Sequence, residues 1–471
     1  MAQGRRMESS PSSLPRRQLE EALRWAVWDA AFATAMNTLV MGVFLTGFAL
    51  ALGADARFIG LMAAIPPLGN LLQVPASWIV QRVGQRRALS LWAFGVARSL
   101  RVLMVALPWL FPPSWRLTAL LLVLSGVALT ASLGMVAWAS WMRDLVPLER
   151  RGRFFAYRNR VAGVVSLVTN LLGASFLDLW RKVFGEENLM SFSFLFALAV
   201  LTGWASLWCL ARMPEVPMPQ PEVPLRWWEM LLRPLRDRAF RRFVLVISGW
   251  TVALNLAAPF FSVYMLRELS LSYSVVNGFV ILSQVMGLLH ISLWGRLIDT
   301  FGNQPVLLFC RFIIAMNPFW WLGTNRGNYL WHIFWPHFLG GMTGGGAELA
   351  TWNLLLALSP ADASPVYLSS FSAITSLAST LGPALGGWLA AQVQDVAWQG
   401  PFWHLKGLEI VFLLSGLLRF LSLPGFGTLP DVRQESVWSL LRYLQRARTL
   451  SPLRPIAWLG VGLGRLLRLT G

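Results

Sequence analysis

Ser77-Trp78-Ile79-Val80-Gln81-Arg82-Val83-Gly84-Gln85-Arg86-Arg87 and Gly295-Arg296-Leu297-Ile298-Asp299-Thr300-Phe301-Gly302-Asn303 are each a brief polar break between long apolar runs, and they start 218 residues apart. The same offset brings Asn37 onto Asn255, Gly60 onto Gly278, Gly69 onto Gly287, Leu71 onto Leu289 and Gly84 onto Gly302. A turn glycine, two helix glycines and a membrane asparagine do not coincide by chance, so the two halves are copies of one another. Gly84 and Gly302 are placed to end a helix with positive φ in a very short turn.

The runs on either side set the solvent. Of 471 residues 56% are hydrophobic and 13% charged, and mean hydropathy is +0.55; a soluble domain carries about 25% charged residues. Apolar runs of about 20 residues fit helices crossing a hydrocarbon layer, not the alternating strands of an outer-membrane barrel. Cys209 and Cys310 each sit in an apolar run and read as packing residues, so no disulfide framework or metal cluster is expected.

Twelve spans fall at about 25–53, 58–80, 88–111, 117–142, 161–180, 190–212, 242–266, 274–298, 304–323, 329–358, 364–393 and 403–425. The first is too long for a signal-peptide core. The net charge of +18 is read as topology: alternate connecting segments hold 29 Lys and Arg on one side and 7 on the other, which puts both termini in the cytoplasm. No nucleic-acid partner is expected. The chain thus divides into a basic amino-terminal segment (1–23), a six-helix bundle (24–212), a central segment (213–241), a second bundle (242–426) and a basic tail (427–471).

The central segment joins Pro214, Pro217, Pro219, Pro221 and Pro224 to an amphipathic basic stretch, Leu225 to Arg242, and reads as a stiff linker with a surface helix. In the tail, Val437 to Leu444 and Ile456 to Leu469 mix Trp and Leu with Arg; both suit an anionic leaflet, with a protein partner as the alternative.

The motifs resemble those of the major facilitator superfamily. That family carries Gly-x-Leu-x-Asp-Arg-x-Gly-Arg-Arg between helices 2 and 3. Here the second copy matches at Gly295, Leu297, Asp299 and Gly302, and the first keeps Arg82, Gly84, Arg86 and Arg87 with Gln81 in the acid's place. Pro147-Leu148-Glu149-Arg150-Arg151-Gly152-Arg153 is similar to a Pro-x-x-x-Arg-Gly loop of bacterial members, and Gly382-Pro383-Ala384-Leu385-Gly386-Gly387 to a Gly-Pro-x-x-Gly-Gly element usually found in helix 5. The resemblance covers roughly residues 22–425. It implies an all-α transmembrane protein of twelve helices in two pseudo-symmetric six-helix bundles, with helices 1, 4, 7 and 10 around a central cavity and substrate sites between halves that rock.

Chemistry must come from the few polar groups at membrane depth. By the helices they occupy, Asp29, Asn37, Asn255, His337 and Glu348 rank first for a substrate or proton pathway. Asp29 and Asn37, eight apart, share a helical face; the alternative for Asp29 is a solvated carboxylate in the first turns. Asn37 and Asn255 offer amides to one solute. Glu348 follows Gly340-Gly341-Met342-Thr343-Gly344-Gly345-Gly346, a run expected to loosen span 10, and either exchanges a proton or pairs with a buried arginine. His332 reads as part of an aromatic belt with Trp331 and Trp335. Arg98 and Arg101 share a face of span 3 and need acidic partners, lipid phosphates or an anionic ligand. A cytoplasmic gate is expected from Gln81, Arg82, Gly84 and Gly302, with Asp299 latched to Arg153 or Arg158 of the segment before span 5.

No Walker sequence, His/Cys cluster or Ser-His-Asp grouping is present, so an enzyme and a cofactor are not expected. The expected protein is a monomeric secondary transporter of the bacterial inner membrane, moving a small amphiphilic or hydrophobic organic solute by alternating access, proton-coupled and an exporter. The rival is a non-transporting relative of the fold: a receptor, or a pigment or lipid carrier.

Overall fold

The structure, a computed structural model, describes residues 15–185, 189–216, 231–360, 363–399, 404–431 and 436–446. Residues 225–230 of the central basic stretch and all of 456–469 lie outside these residues. Among the described residues eight helices are long and apolar enough to cross a membrane, nine if the bent pair Ala56–Leu71 and Gln73–Val83 is one span. Each of the twelve expected spans falls on helix. The helices are α1 (Arg16–Val40), α2 (Gly42–Ala51), α3 (Ala56–Leu71), α4 (Gln73–Val83), α5 (Arg86–Leu110), α6 (Pro113–Leu145), α7 (Leu148–Phe184), α8 (Leu189–Ala211), α9 (Arg238–Val263), α10 (Tyr273–Phe301), α11 (Asn303–Met316), α12 (Tyr329–Leu358), α13 (Ser364–Gln392), α14 (Leu408–Phe426) and α15 (Val437–Arg446).

The chain forms two compact units, Met1–Glu229 with Pro259–Asn277, and Met230–Ala258 with Gly278–Gly471. In the first, α1 packs on α7 and α8, α5 lies between α6 and α8, and α3 and α4 pack on α6. Pro259–Asn277 joins this unit because Asp178 on α7 accepts the backbone N–H groups of Tyr273 at 2.8 Å and Ser274 at 2.7 Å, satisfying donors at the start of α10. In the second unit α11 packs on α12, α14 and α15, around a core that includes Trp294, Phe309, Cys310 and Leu354.

The repeat also shows in how helices are capped. Glu215 accepts the backbone N–H of Arg87 at 3.0 Å at the start of α5, and Asp431 accepts that of Gln304 at 2.7 Å at the start of α11. An acid just beyond the sixth helix of each half meets the positive end of the third. Gly84 and Gly302 take φ of 70° and 95°, as their place in the turns requires.

Four local expectations change. Span 5 begins at Leu148 rather than near 161, because Pro147 starts a helix that its arginines, good helix formers, prolong. Span 12 begins at Leu408 rather than near 403. Ahead of it β1 (Ala397–Gln399) pairs antiparallel with β2 (His404–Lys406), and Glu409 accepts the Lys406 N–H at 3.2 Å across Gly407, whose φ is 47°. Span 10 is continuous despite its glycines, which serve contact: a Cβ at Gly346 would lie 2.6 Å from the Trp294 ring, whose Nε1 donates to the Met342 carbonyl at 2.6 Å.

The break in a membrane helix comes instead in span 1, where Met41 is extended and Gly42 has φ of 58°. Finally, the apolar face of α15 is taken up by protein: Leu440, Leu441 and Leu444 are buried in the core of the second unit, and Tyr443 meets the Phe301 ring at 5.3 Å.

Candidate functional site

The break at Met41 and the 40° bend between α3 and α4 both open onto a cavity of ≈ 430 Å³ inside the first unit. Discontinuous helices at membrane depth are tolerated where they line protein cavities, because backbone groups freed from the helix find partners there. Pro66, Asn70 and Gln73 line it at the bend, with Gln73 donating to the Asn70 side chain at 3.0 Å.

Asp29 stands in its wall. Because α1 begins at Arg16, this carboxylate lies more than three turns into the helix and is buried, not solvated in the first turns. Ser206 on α8 donates to Asp29 Oδ1 at 2.5 Å, and Arg98 on α5 donates through Nη2 to the same hydroxyl at 2.8 Å. Arg158 Nη2 lies 3.7 Å from Asp29 Oδ2, its guanidinium held 4.6 Å over the Trp138 ring. One carboxylate therefore ties α1, α5, α7 and α8. Arg158, expected among the residues of a cytoplasmic latch, is thus engaged inside the first unit.

Arg101, one turn beyond Arg98, is buried in the same wall. It reaches Asn37 Oδ1 at 3.4 Å and its own helix at Ala97 O at 3.5 Å. Asn37 lines the cavity, as its shared face with Asp29 predicts. The rest of the wall is apolar apart from Ser132, and includes five methionines.

In the second unit, Asn255 donates to Thr251 O at 3.0 Å on its own helix, and its Cβ packs where Gly382 leaves room. His337 is placed by Nδ1 against Ile333 O at 2.9 Å and between the Phe279 and Trp321 rings. Glu348, expected to be buried, is exposed on α12, where its charge acts on Arg311 of α11; Arg311 stacks at 4.9 Å over Trp250.

Of the gate residues, Gln81 and Arg82 are exposed at the end of α4, Arg82 lying 4.5 Å over Trp78. Asp299 is exposed near the end of α10 and Arg153 is exposed on α7. The motif's buried group is Arg86, which donates to Ser140 O at 2.9 Å, Asp144 Oδ2 at 2.5 Å and Val216 O at 2.9 Å.

Sequence reasoning missed Ser206, an ordinary serine in an apolar helix, and the partner of Arg86. Asp144, next to the Pro147 motif, was the available signal. Arg98 and Arg101 were seen but ranked behind the residues of spans 1, 7 and 10, because span 3 is peripheral in the resembling family.

The sequence model of the Major Facilitator Superfamily matches residues 28–360 and 243–464. A probable peptide/nitrate transporter of Arabidopsis thaliana is 30% identical over 161 residues; that match spans 30% of this chain and 31% of the relative. Among solved structures, a point mutant of the nucleoside transporter NupG superposes with a TM-score of 0.66 at 10% identity, covering 87% of this chain and 99% of that one. A bacterial homologue of the iron transporter ferroportin superposes at 0.64 with 14% identity, covering 88% and 98%. A D-xylose-proton symporter superposes at 0.61 with 12% identity, also covering 88% and 98%. The family match takes in most of the chain and the solved structures share its fold: this multi-pass membrane protein belongs to the Major Facilitator Superfamily.

Proposed function

We propose that this chain is a secondary active transporter that moves a small amphiphilic organic solute by alternating access, coupled to protons through Asp29, in a bacterial inner membrane with both termini in the cytoplasm. One observation carries the reading: a buried carboxylate in the wall of a cavity of small-molecule size, held by a serine and two arginines from three other helices. An ionisable group at membrane depth is costly to keep, and its commonest uses are ion or proton pathways. Asp29 suits that use better than Glu348, which is exposed.

The coupling follows from competition. With Asp29 ionised, Arg98 (through Ser206) and Arg158 are drawn to it, and α1, α5, α7 and α8 are held together. With Asp29 protonated, that attraction falls away and both guanidiniums are left to a solute or to water. Proton and solute are thus linked through shared partners, which is what an energy-coupled carrier requires. The named cargoes of the similar structures include nucleosides and D-xylose; the apolar wall here favours a solute with a hydrophobic body.

The test is full-length protein in liposomes enclosing a pH-sensitive dye, given pyrene probes that carry a carboxylate, a neutral amide or an amine. Transport predicts movement of at least one probe with a matching change in lumenal pH. A protein that moves none of them, yet keeps a hydrophobic molecule bound through purification, would be a carrier or receptor of this fold instead.

A further inference from the structure

Three arginines and one aspartate line the cavity, an excess of two formal positive charges at membrane depth. Asp29 does not serve all three. It acts on Arg98 and Arg158, whereas the charge that acts on Arg101 is the like charge of Arg98. A guanidinium has five N–H donors. Those of Arg101 make two contacts among the described residues, at 3.4 and 3.5 Å, both long for hydrogen bonds. On Arg98, Nε and Nη1 are buried with no hydrogen-bond partner. Two adjacent cations taken out of water and left short of acceptors are costly unless an anion joins them.

What surrounds them sets the rest of the ligand. Five methionines, Met36, Met41, Met62, Met104 and Met135, line the cavity together with Phe94 and aliphatic side chains. Thioether side chains are flexible and polarisable, and they mould to apolar bodies of differing shape. The wall is therefore permissive of shape, while the arginine pair is strict about charge. Guanidinium pairs its parallel N–H donors with two oxygens of a carboxylate or phosphate.

Resting on the transporter reading above, we infer that Arg101, assisted by Arg98, is the anion subsite of this cavity, and that the solute is an amphiphilic organic anion: one carboxylate or similar oxyanion on a single hydrophobic body. A free solute and the headgroup of a single-chain anionic lipid offer the same chemistry to the pair. Arg98 is also held by Ser206, so Arg101 is the residue whose loss most directly removes the charge preference.

The measurement is binding of 1-pyrenebutyrate, its primary amide and 1-pyrenebutylamine to the full-length protein in neutral maltoside, read by energy transfer from tryptophan. Wild type is expected to bind the carboxylate at least tenfold more tightly than the amide, and the amine most weakly. Arg101→Gln should reduce that preference below threefold with an unchanged elution profile, and Arg101→Lys should keep part of it. Equal wild-type affinity for carboxylate and amide, tighter binding of the amine, or full preference in Arg101→Gln overturns the subsite. The wild-type comparison stands even if Arg101→Gln fails to fold.

Repeating it in nanodiscs separates the sources. Competition by added lysophosphatidylglycerol but not by lysophosphatidylcholine assigns the anion to a lipid headgroup, and undiminished binding with both assigns it to a free solute; either result supports the subsite. The two proposals also fail separately. Carboxylate-selective binding without movement into liposomes leaves the subsite and removes the transport reading, whereas movement without charge preference does the reverse.

Discussion

At the scale of single residues, the arginines of this chain sort by what accepts from them. Arg86 is fully buried and spends its guanidinium on two backbone carbonyls, a serine and Asp144. The Asp144 side chain keeps 21% of its exposure, so water screens the ion pair and the carbonyl bonds matter more to stability. Removing the donor strands buried acceptors, at about 1–3 kcal/mol for each group left unpaired. Arg86→Ala should therefore lower unfolding free energy in a detergent titration by about 2–4 kcal/mol, and Arg86→Lys should not restore it, because an ammonium cannot span the same fork of acceptors. A loss under about 0.5 kcal/mol in the alanine variant, the size of an ordinary surface substitution, would show that this network does not hold α5, α6 and the segment after α8 together.

Elements show the same logic in their glycines. The run before Glu348 looks like a helix breaker in sequence, since each glycine costs up to about 1 kcal/mol relative to alanine. The structure divides it by contact: a Cβ at Gly346 would meet the Trp294 ring at 2.6 Å, whereas one at Gly344 meets nothing within 4 Å. Gly346→Ala is expected to destabilise by about 1–3 kcal/mol through overpacking. Gly344→Ala should leave stability unchanged or raise it by up to about 1 kcal/mol. Thermal unfolding of the two variants side by side checks this; equal losses would mean that the run is needed for bending and not for the approach of α10 to α12.

Across the whole molecule, what could be read from sequence was what repeats or what hydropathy enforces. Twelve apolar runs gave the helices, and Gly84 and Gly302 gave their turns, because a positive φ leaves little choice of residue. The cavity was less legible. Asp29 and Asn37 could be placed on one face by spacing alone, but Ser206 lies 177 residues from the carboxylate it serves, and no local pattern distinguishes it from other serines in apolar helices. The basic stretch around Arg158 reads as a loop in sequence, whereas it continues a helix that carries the side chain back to Asp29. Before Glu348 the glycines that suggest a break in sequence are contact points, and the helix is continuous.

Proton movement and solute movement meet, in this reading, at the carboxylate of Asp29. That coupling is tested by comparing Asp29→Asn and Glu348→Gln with wild type in liposomes, measuring accumulation driven by a pH gradient and counterflow exchange of the same probe at equal pH. Exchange needs only movement with solute bound, whereas accumulation needs the proton cycle. Asp29→Asn is predicted to abolish accumulation while keeping exchange within about threefold of wild type, a change of at most about 0.7 kcal/mol in barrier, and Glu348→Gln to leave both activities intact. Undiminished accumulation in Asp29→Asn would contradict coupling through this carboxylate.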